Sequence, residues 1–157
     1  MTDDLTLNPL VRSGARMSGG AGKSERHFLD FVINGRSLWK AAGKRYDNVS
    51  ILCAEFQIEE TTREVDRLLL RAEADIPNGR RSLFVCAECG DLGCGAITAL
   101  VVRDHSSVIW KGFGRENNYE NEVELGPFRN IGPFAFDAAQ YQRVLMEGLD
   151  RLKSIRP

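Results

Sequence analysis

The segment CAECGDLGCG at 86–95 places Cys86, Cys89 and Cys94 within nine residues, with glycines at 90, 93 and 95. Three thiols this close suit a metal centre, a redox pair or a tight turn over small buried sulfurs. A C-x-x-C-G run has the geometry of a metal knuckle. Its two thiolates converge on one ion, turn amides donate to the sulfurs, and glycine permits the left-handed backbone that aims those amides. Structural zinc takes four ligands, and this cluster provides three. Cys53, His105 or a water would have to fill the fourth position. Cys53 lies in an apolar strand pattern, which suits a thiol packed as a small hydrophobe.

A redox pair is less well matched. Its first thiol normally sits at a helix N-terminus, where the dipole favours the thiolate. The run after Cys89, GDLGCGAITALVV, is strand-like and offers no such helix. A disulfide from Cys94 to Cys86 or Cys89 is disfavoured in a reducing compartment. A hairpin with free thiols beneath it is the plain alternative to zinc, and the sequence leaves the two level.

Other groups with chemical potential lack context. His27 starts a strand, and His105 belongs to the turn Asp104-His105-Ser106-Ser107, whose adjacent members do not make a triad of converging groups. No nucleophile elbow, zinc-protease helix motif or calcium loop occurs. GGAGKS at 19–24 resembles the end of a phosphate-binding loop, but Met17 stands where glycine is required and no buried strand precedes it. Glu120, Glu122 and Glu124 would share one face if their segment were extended. With Trp110, Phe113 and Tyr119 they would form an acidic, aromatic docking surface for a protein partner. The same charges on an edge strand would also serve simply to block edge-to-edge pairing.

The elements that must position these groups can be read from the rest of the chain. At 157 residues, one domain with its own core is expected. A net charge of −1 with 27% charged residues argues against nucleic acid as a partner, which would call for a cationic face. No apolar run approaches the ~18 residues of a membrane span. The start, MTDDLTLNPLVRSG, has no apolar secretory region, so a cytoplasmic setting is expected, where clustered cysteines are more often ligands than disulfides.

Residues 1–26 read as a flexible lead and 27–157 as a single α+β domain. HFLDFVINGRSL alternates about Asn34-Gly35, a hairpin signal. Ser37 then caps a short helix ending at Gly43. NVSILCAEF reads as a strand, and TTREVDRLLLRAE as a helix after Thr61 or Thr62, with a strand as the alternative. RSLFVC, AITALVVRD and SVIWKGFG form an antiparallel meander, with AITALVV central. The polar stretch beyond the meander holds one edge strand near 120–125. Asp137 and Gln140 open a final helix with the stripe Tyr141, Val144, Leu145, Gly148, Leu149 and Leu152, which covers one face of the sheet.

The motif CxECGDxGCG, an apolar strand, Trp110, Phe113-Gly114 and then GPF-x-F-D before the last helix together resemble a family of small bacterial proteins of unknown function, sometimes labelled oxidoreductase. The resemblance covers about residues 80–150 and carries no catalytic residues to this chain. The absence of a catalytic constellation points to a non-enzymatic partner-binding protein, such as a toxin-immunity protein using Trp110, Phe113, Tyr119, Glu120, Glu122 and Glu124. The alternative is a thiol- or zinc-dependent, oxidoreductase-like enzyme centred on Cys86, Cys89 and Cys94.

Overall fold

The computed structural model describes residues 2–16, 22–120 and 122–155. The first strand, β1 (Leu5–Arg12), pairs along its whole length with β4 (Arg26–Ile33), from Leu5 opposite Ile33 to Arg12 opposite Arg26. The expectation of a flexible lead is corrected here. Backbone pairing and burial of Leu5 hold this segment despite its polar composition. Pro9 is tolerated because β1 is an edge of its sheet. Between them, β2 (Ala15–Arg16) and β3 (Gly22–Lys23) form a two-residue ribbon. Residues 19–21, half of the phosphate-loop look-alike, lie outside the described residues.

The Asn34-Gly35 turn forms as expected, with φ of 53° and 79°, and leads into β5 (Arg36–Ser37). Ser37 Oγ accepts from the amide of Lys40 at 3.1 Å, and its hydroxyl donates to the buried Asp30. The helical turns beyond it span Trp39–Gly43 and Lys44–Tyr46.

Next come β6 (Asn48–Ser50), α1 (Ile58–Leu68), β7 (Arg80–Cys86), β8 (Ala96–Asp104), β9 (Ser107–Glu116), β10 (Phe134–Asp137) and α2 (Ala138–Ile155). The five later strands form an antiparallel sheet in the order β10-β9-β8-β7-β6, so the apolar β8 is central. The segment NVSILCAEF serves two sheets in turn. Asn48–Ser50 pairs with β7, after which Leu52 and Ala54 bond to Leu29 and His27 of β4. At the far margin the amide of Asp3 donates to Ala135 O of β10 at 2.7 Å, and its carboxylate accepts from Ala135 N at 2.8 Å. The two sheets are thus linked at both margins.

The core carries a cluster of aromatic side chains. Trp110 of β9 lies edge-on to Phe31 of β4, Phe136 of β10 and Tyr141 of α2, with centroids 5.3, 5.0 and 5.9 Å away. Helix α2 buries Tyr141, Leu145, Gly148, Leu149 and Leu152, all but Val144 of the expected stripe. Asp137 accepts from the amide of Gln140 at 3.0 Å, but the Gln140 side chain turns to Asp4, so half of the capping box forms. Helix α1 begins at Ile58, earlier than Thr61, with Glu59 and Glu60 in its positively polarised first turn. The architecture is α+β, with antiparallel sheets and a C-terminal helix packed on them. Among the described residues no helix is long and apolar enough to cross a membrane.

Candidate metal centre: three thiols beside an acidic cavity

Cys86 ends β7, and the chain reverses at once. The amide of Gly90 donates to Cys86 O at 2.9 Å, and Gly90 has a φ of 68° that a side chain would strain. Asp91 then accepts from Gly93 N at 3.0 Å and caps a single helical turn, Leu92–Cys94, which returns Cys94 to the first two thiols. The three sulfurs lie within 4.8 Å of one another. Cys89 Sγ and Cys94 Sγ are 3.2 Å apart, and the amide of Asp91 lies 3.4 Å from Cys89 Sγ.

Burial pushes the Cys86 thiol up, but amides of Cys89 and Glu88 and the two neighbouring thiols outweigh it and hold it below its ordinary value. Cys94 moves the other way, to about 12, through its hydrogen bond with Cys89 and the charge on Cys86. The cluster therefore favours a thiolate on Cys86 while Cys94 keeps its proton. A thiophilic cation would replace such a proton.

Residues distant in sequence hold this turn. Arg26 Nε donates to Ala87 O at 2.7 Å, and its Nη2 to Glu88 O at 3.0 Å. The Glu88 carboxylate accepts from Arg12 Nη1 at 2.6 Å, Ser24 N at 2.9 Å and Ser24 Oγ at 3.0 Å. Arg12, only 6% exposed, also grips both carboxylate oxygens of Asp47. Arg12 and the Ser24 amide hold the Glu88 carboxyl down to about 2. Sequence reasoning missed Arg12, Ser24, Arg26 and Asp47. Nothing in their local patterns marks them, because only the β1–β4 register sets Arg12 directly opposite Arg26.

Neither candidate for a fourth protein ligand joins the cluster. Cys53 is buried, its thiol is pushed up to about 12 by burial, and its S–H donates to Glu55 at 3.5 Å. His105 sits in the β8–β9 turn with a side chain 96% exposed. His27 lies 2.9 Å from Glu55. Among the described residues, the group of donors close enough to share an ion here is Cys86, Cys89 and Cys94.

The expected docking face is corrected at its aromatics. Trp110 is fully buried because its indole N–H finds its partner inside, on Tyr141 OH at 3.0 Å. Phe113 is buried as well. A bulge at Gly112, φ 62°, shifts the register of β9 and turns Phe113 inward despite its odd spacing from Trp110. Tyr119, Glu120, Glu122 and Glu124 are exposed, and the described residues of their segment do not form a strand. Glu124 makes a bridge to Arg115, and Asn117 caps the turn at Tyr119 and Glu120.

A cavity of about 630 Å³ opens between α1 and the thiol-bearing turn. Glu60, Glu64 and Arg67 of α1 line it, with Phe56 and, from the turn, Cys89 and Asp91. Arg67 pairs with Glu64 and, at 3.3 Å, with Asp75. Burial, and then the charge of Asp75, push the Glu64 carboxyl up to about 7 despite that pairing. Among the described residues, Glu64 Oε2 and Arg67 Nε are both buried without a hydrogen-bond partner.

Comparison with known proteins returns no match: no family model, no curated protein and no solved structure matches this chain.

Proposed function

We propose that the protein is a metal-binding protein that holds a thiophilic divalent ion, zinc first among them, on Cys86, Cys89 and Cys94. The observation that carries this reading is the convergence of three sulfurs within 4.8 Å on a turn clamped from outside by Arg12, Ser24 and Arg26. Free thiols beneath an ordinary hairpin would need no such clamp. Thiolate sulfur selects zinc and other soft ions over magnesium or calcium. Three protein ligands leave the fourth position to water or a small molecule, the arrangement of a reactive site and not of a closed structural one. This reading develops the zinc-dependent alternative. The docking reading ranks second, because it keeps exposed Tyr119, Glu120, Glu122 and Glu124 but loses Trp110 and Phe113 to the core.

The test is metal content and cobalt(II) binding in full-length protein purified without chelators or immobilised-metal columns. One ion per chain and sulfur-to-cobalt charge-transfer absorption are expected. Cys86→Ser, Cys89→Ser and Cys94→Ser should each weaken binding by at least ~100-fold, more than the loss of an outer-shell partner usually does. Cys53→Ser should leave it unchanged. Metal-free protein that binds no cobalt(II) and reacts as independent free thiols would overturn the proposal.

A further inference from the structure

Cys89 belongs to two sites at once. Its sulfur is one of the three that converge, and its residue forms part of the cavity wall with Glu88, Gly90, Asp91 and Leu92 on either side. The cavity therefore runs along the same turn that carries the metal ligands. Its volume of about 630 Å³ falls within the range of about 300–1,000 Å³ usual for small-molecule sites.

Its charge is one-sided. Among the described lining residues, Glu55, Glu60, Glu64, Asp75, Glu88 and Asp91 stand against Arg26 and Arg67, while Arg63 and Arg12 pair with Glu60 and Glu88 from outside the lining. Both lining arginines are already engaged. Arg26 donates to the carbonyls of the turn, and Arg67 to Glu64 and Asp75. An anionic occupant would meet carboxylates without an uncommitted cation to receive it. The remaining wall is apolar, with Ile51, Phe56, Val85 and Leu92. Phe56 lies beneath the Arg26 guanidinium at 5.8 Å and against the backbone of Gly90. The cavity thus suits a short apolar stem bearing a positive charge, while an ion on the thiols requires one further donor.

We infer that the cavity binds a small aminothiol, whose sulfur completes the coordination of the ion on Cys86, Cys89 and Cys94 while its ammonium group lies among the carboxylates. The thiol would lose its proton to solvent as it binds, its sulfur would displace the water from the ion's fourth position, and no other bond would form or break. This inference rests on the metal reading proposed above.

The experiment compares three thiols of similar size and different charge on the cobalt(II)-loaded full chain: cysteamine, 2-mercaptoethanol and 3-mercaptopropionate. Each is followed through the cobalt absorption bands, with gel filtration to verify that the metal stays on the protein. Cysteamine should half-saturate the change at a concentration at least ~10-fold lower than 3-mercaptopropionate, with 2-mercaptoethanol between them, because the carboxylates attract the ammonium group and repel the added carboxylate. The double variant Glu60→Gln/Glu64→Gln, on α1 and outside the group of three sulfur donors, should narrow that preference at least threefold while cobalt affinity holds. Equal half-saturation by all three thiols, or a preference unchanged in the double variant, overturns this inference and leaves the metal site standing. Failure to bind cobalt(II) at all overturns the metal reading and this inference with it.

Discussion

Turn amides help to hold the Cys86 thiol below its ordinary value against burial, and those amides are aimed by Arg26 from another strand. Removing Arg26 leaves Ala87 O and Glu88 O without their guanidinium donor and frees the turn to rotate. Arg26→Ala should therefore weaken cobalt(II) binding about 10-fold, the usual scale for a second-layer partner, and Arg26→Lys should recover part of that. An unchanged affinity in Arg26→Ala would show that the turn is rigid without it. The 3.2 Å between Cys89 and Cys94 sulfurs fixes a second expectation. In metal-free protein, a diazene oxidant such as diamide should take one hydrogen from each of these thiols and join their sulfurs. Peptide mapping should then find Cys86 alkylatable, and bound metal should protect all three. A Cys86–Cys94 bond as the main product would contradict the geometry. The thiols were legible in the sequence because three lie within nine residues. Their clamp was not, since Arg12, Ser24 and Arg26 meet the turn across 61 to 76 positions of chain.

Among the elements, α1 carries the cavity wall and a strained electrostatic balance. Glu64 has an ordinary value of 4.5 and is raised to about 7 by burial and by Asp75, so ionising it opposes folding even with Arg67 beside it. The unfolded chain releases this proton first. Between pH 4.5 and 7 the folded state binds more protons, and Glu64's contribution to stability falls as pH rises through that window. Glu64→Gln removes the slope. It should be close to neutral at pH 4 and stabilising at pH 8, by about 1 kcal/mol after allowance for the lost Arg67 pairing. Denaturant midpoints of metal-free protein at the two pH values measure this, and equal destabilisation at both would refute it. The existence of α1 was readable from Val65 and Leu68 at helical spacing, and its start was misplaced because Gln57 makes no side-chain cap bond. The meander of β7, β8 and β9 was readable from apolar runs between turns. The strand β1 was not, because Thr6, Asn8, Pro9 and Val11 are exposed and its order comes from pairing with β4.

At the scale of the whole molecule, the two sheets meet at both margins through contacts between distant parts of the chain: Asp3 to Ala135 on one side, Leu52 and Ala54 to β4 on the other. Periodicity marks a face as apolar but does not say which distant face it meets. That is why Trp110 read equally well as a docking residue. In the fold its indole donates to Tyr141 OH at 3.0 Å, and that hydroxyl donates onward to Leu68 O of α1 at 2.7 Å. One buried oxygen therefore ties β9, α2 and the end of α1 together, and burial pushes the Tyr141 hydroxyl proton's release far above the ordinary range. Tyr141→Phe keeps the ring packed against Trp110 and Phe136 but strands the indole N–H and the Leu68 carbonyl in the core. An unmet buried donor or acceptor costs about 1–3 kcal/mol, so a loss of about 2–3 kcal/mol is expected in chemical denaturation. Trp110 pairs with Val101, well along β8 from the turn that bears Cys94, so cobalt(II) affinity should not change in the folded variant. A loss under ~0.5 kcal/mol would mean that the shared hydroxyl does not join the helices to the sheet. A loss of cobalt(II) binding in parallel would mean that the thiol centre depends on the core more widely than its own clamp implies.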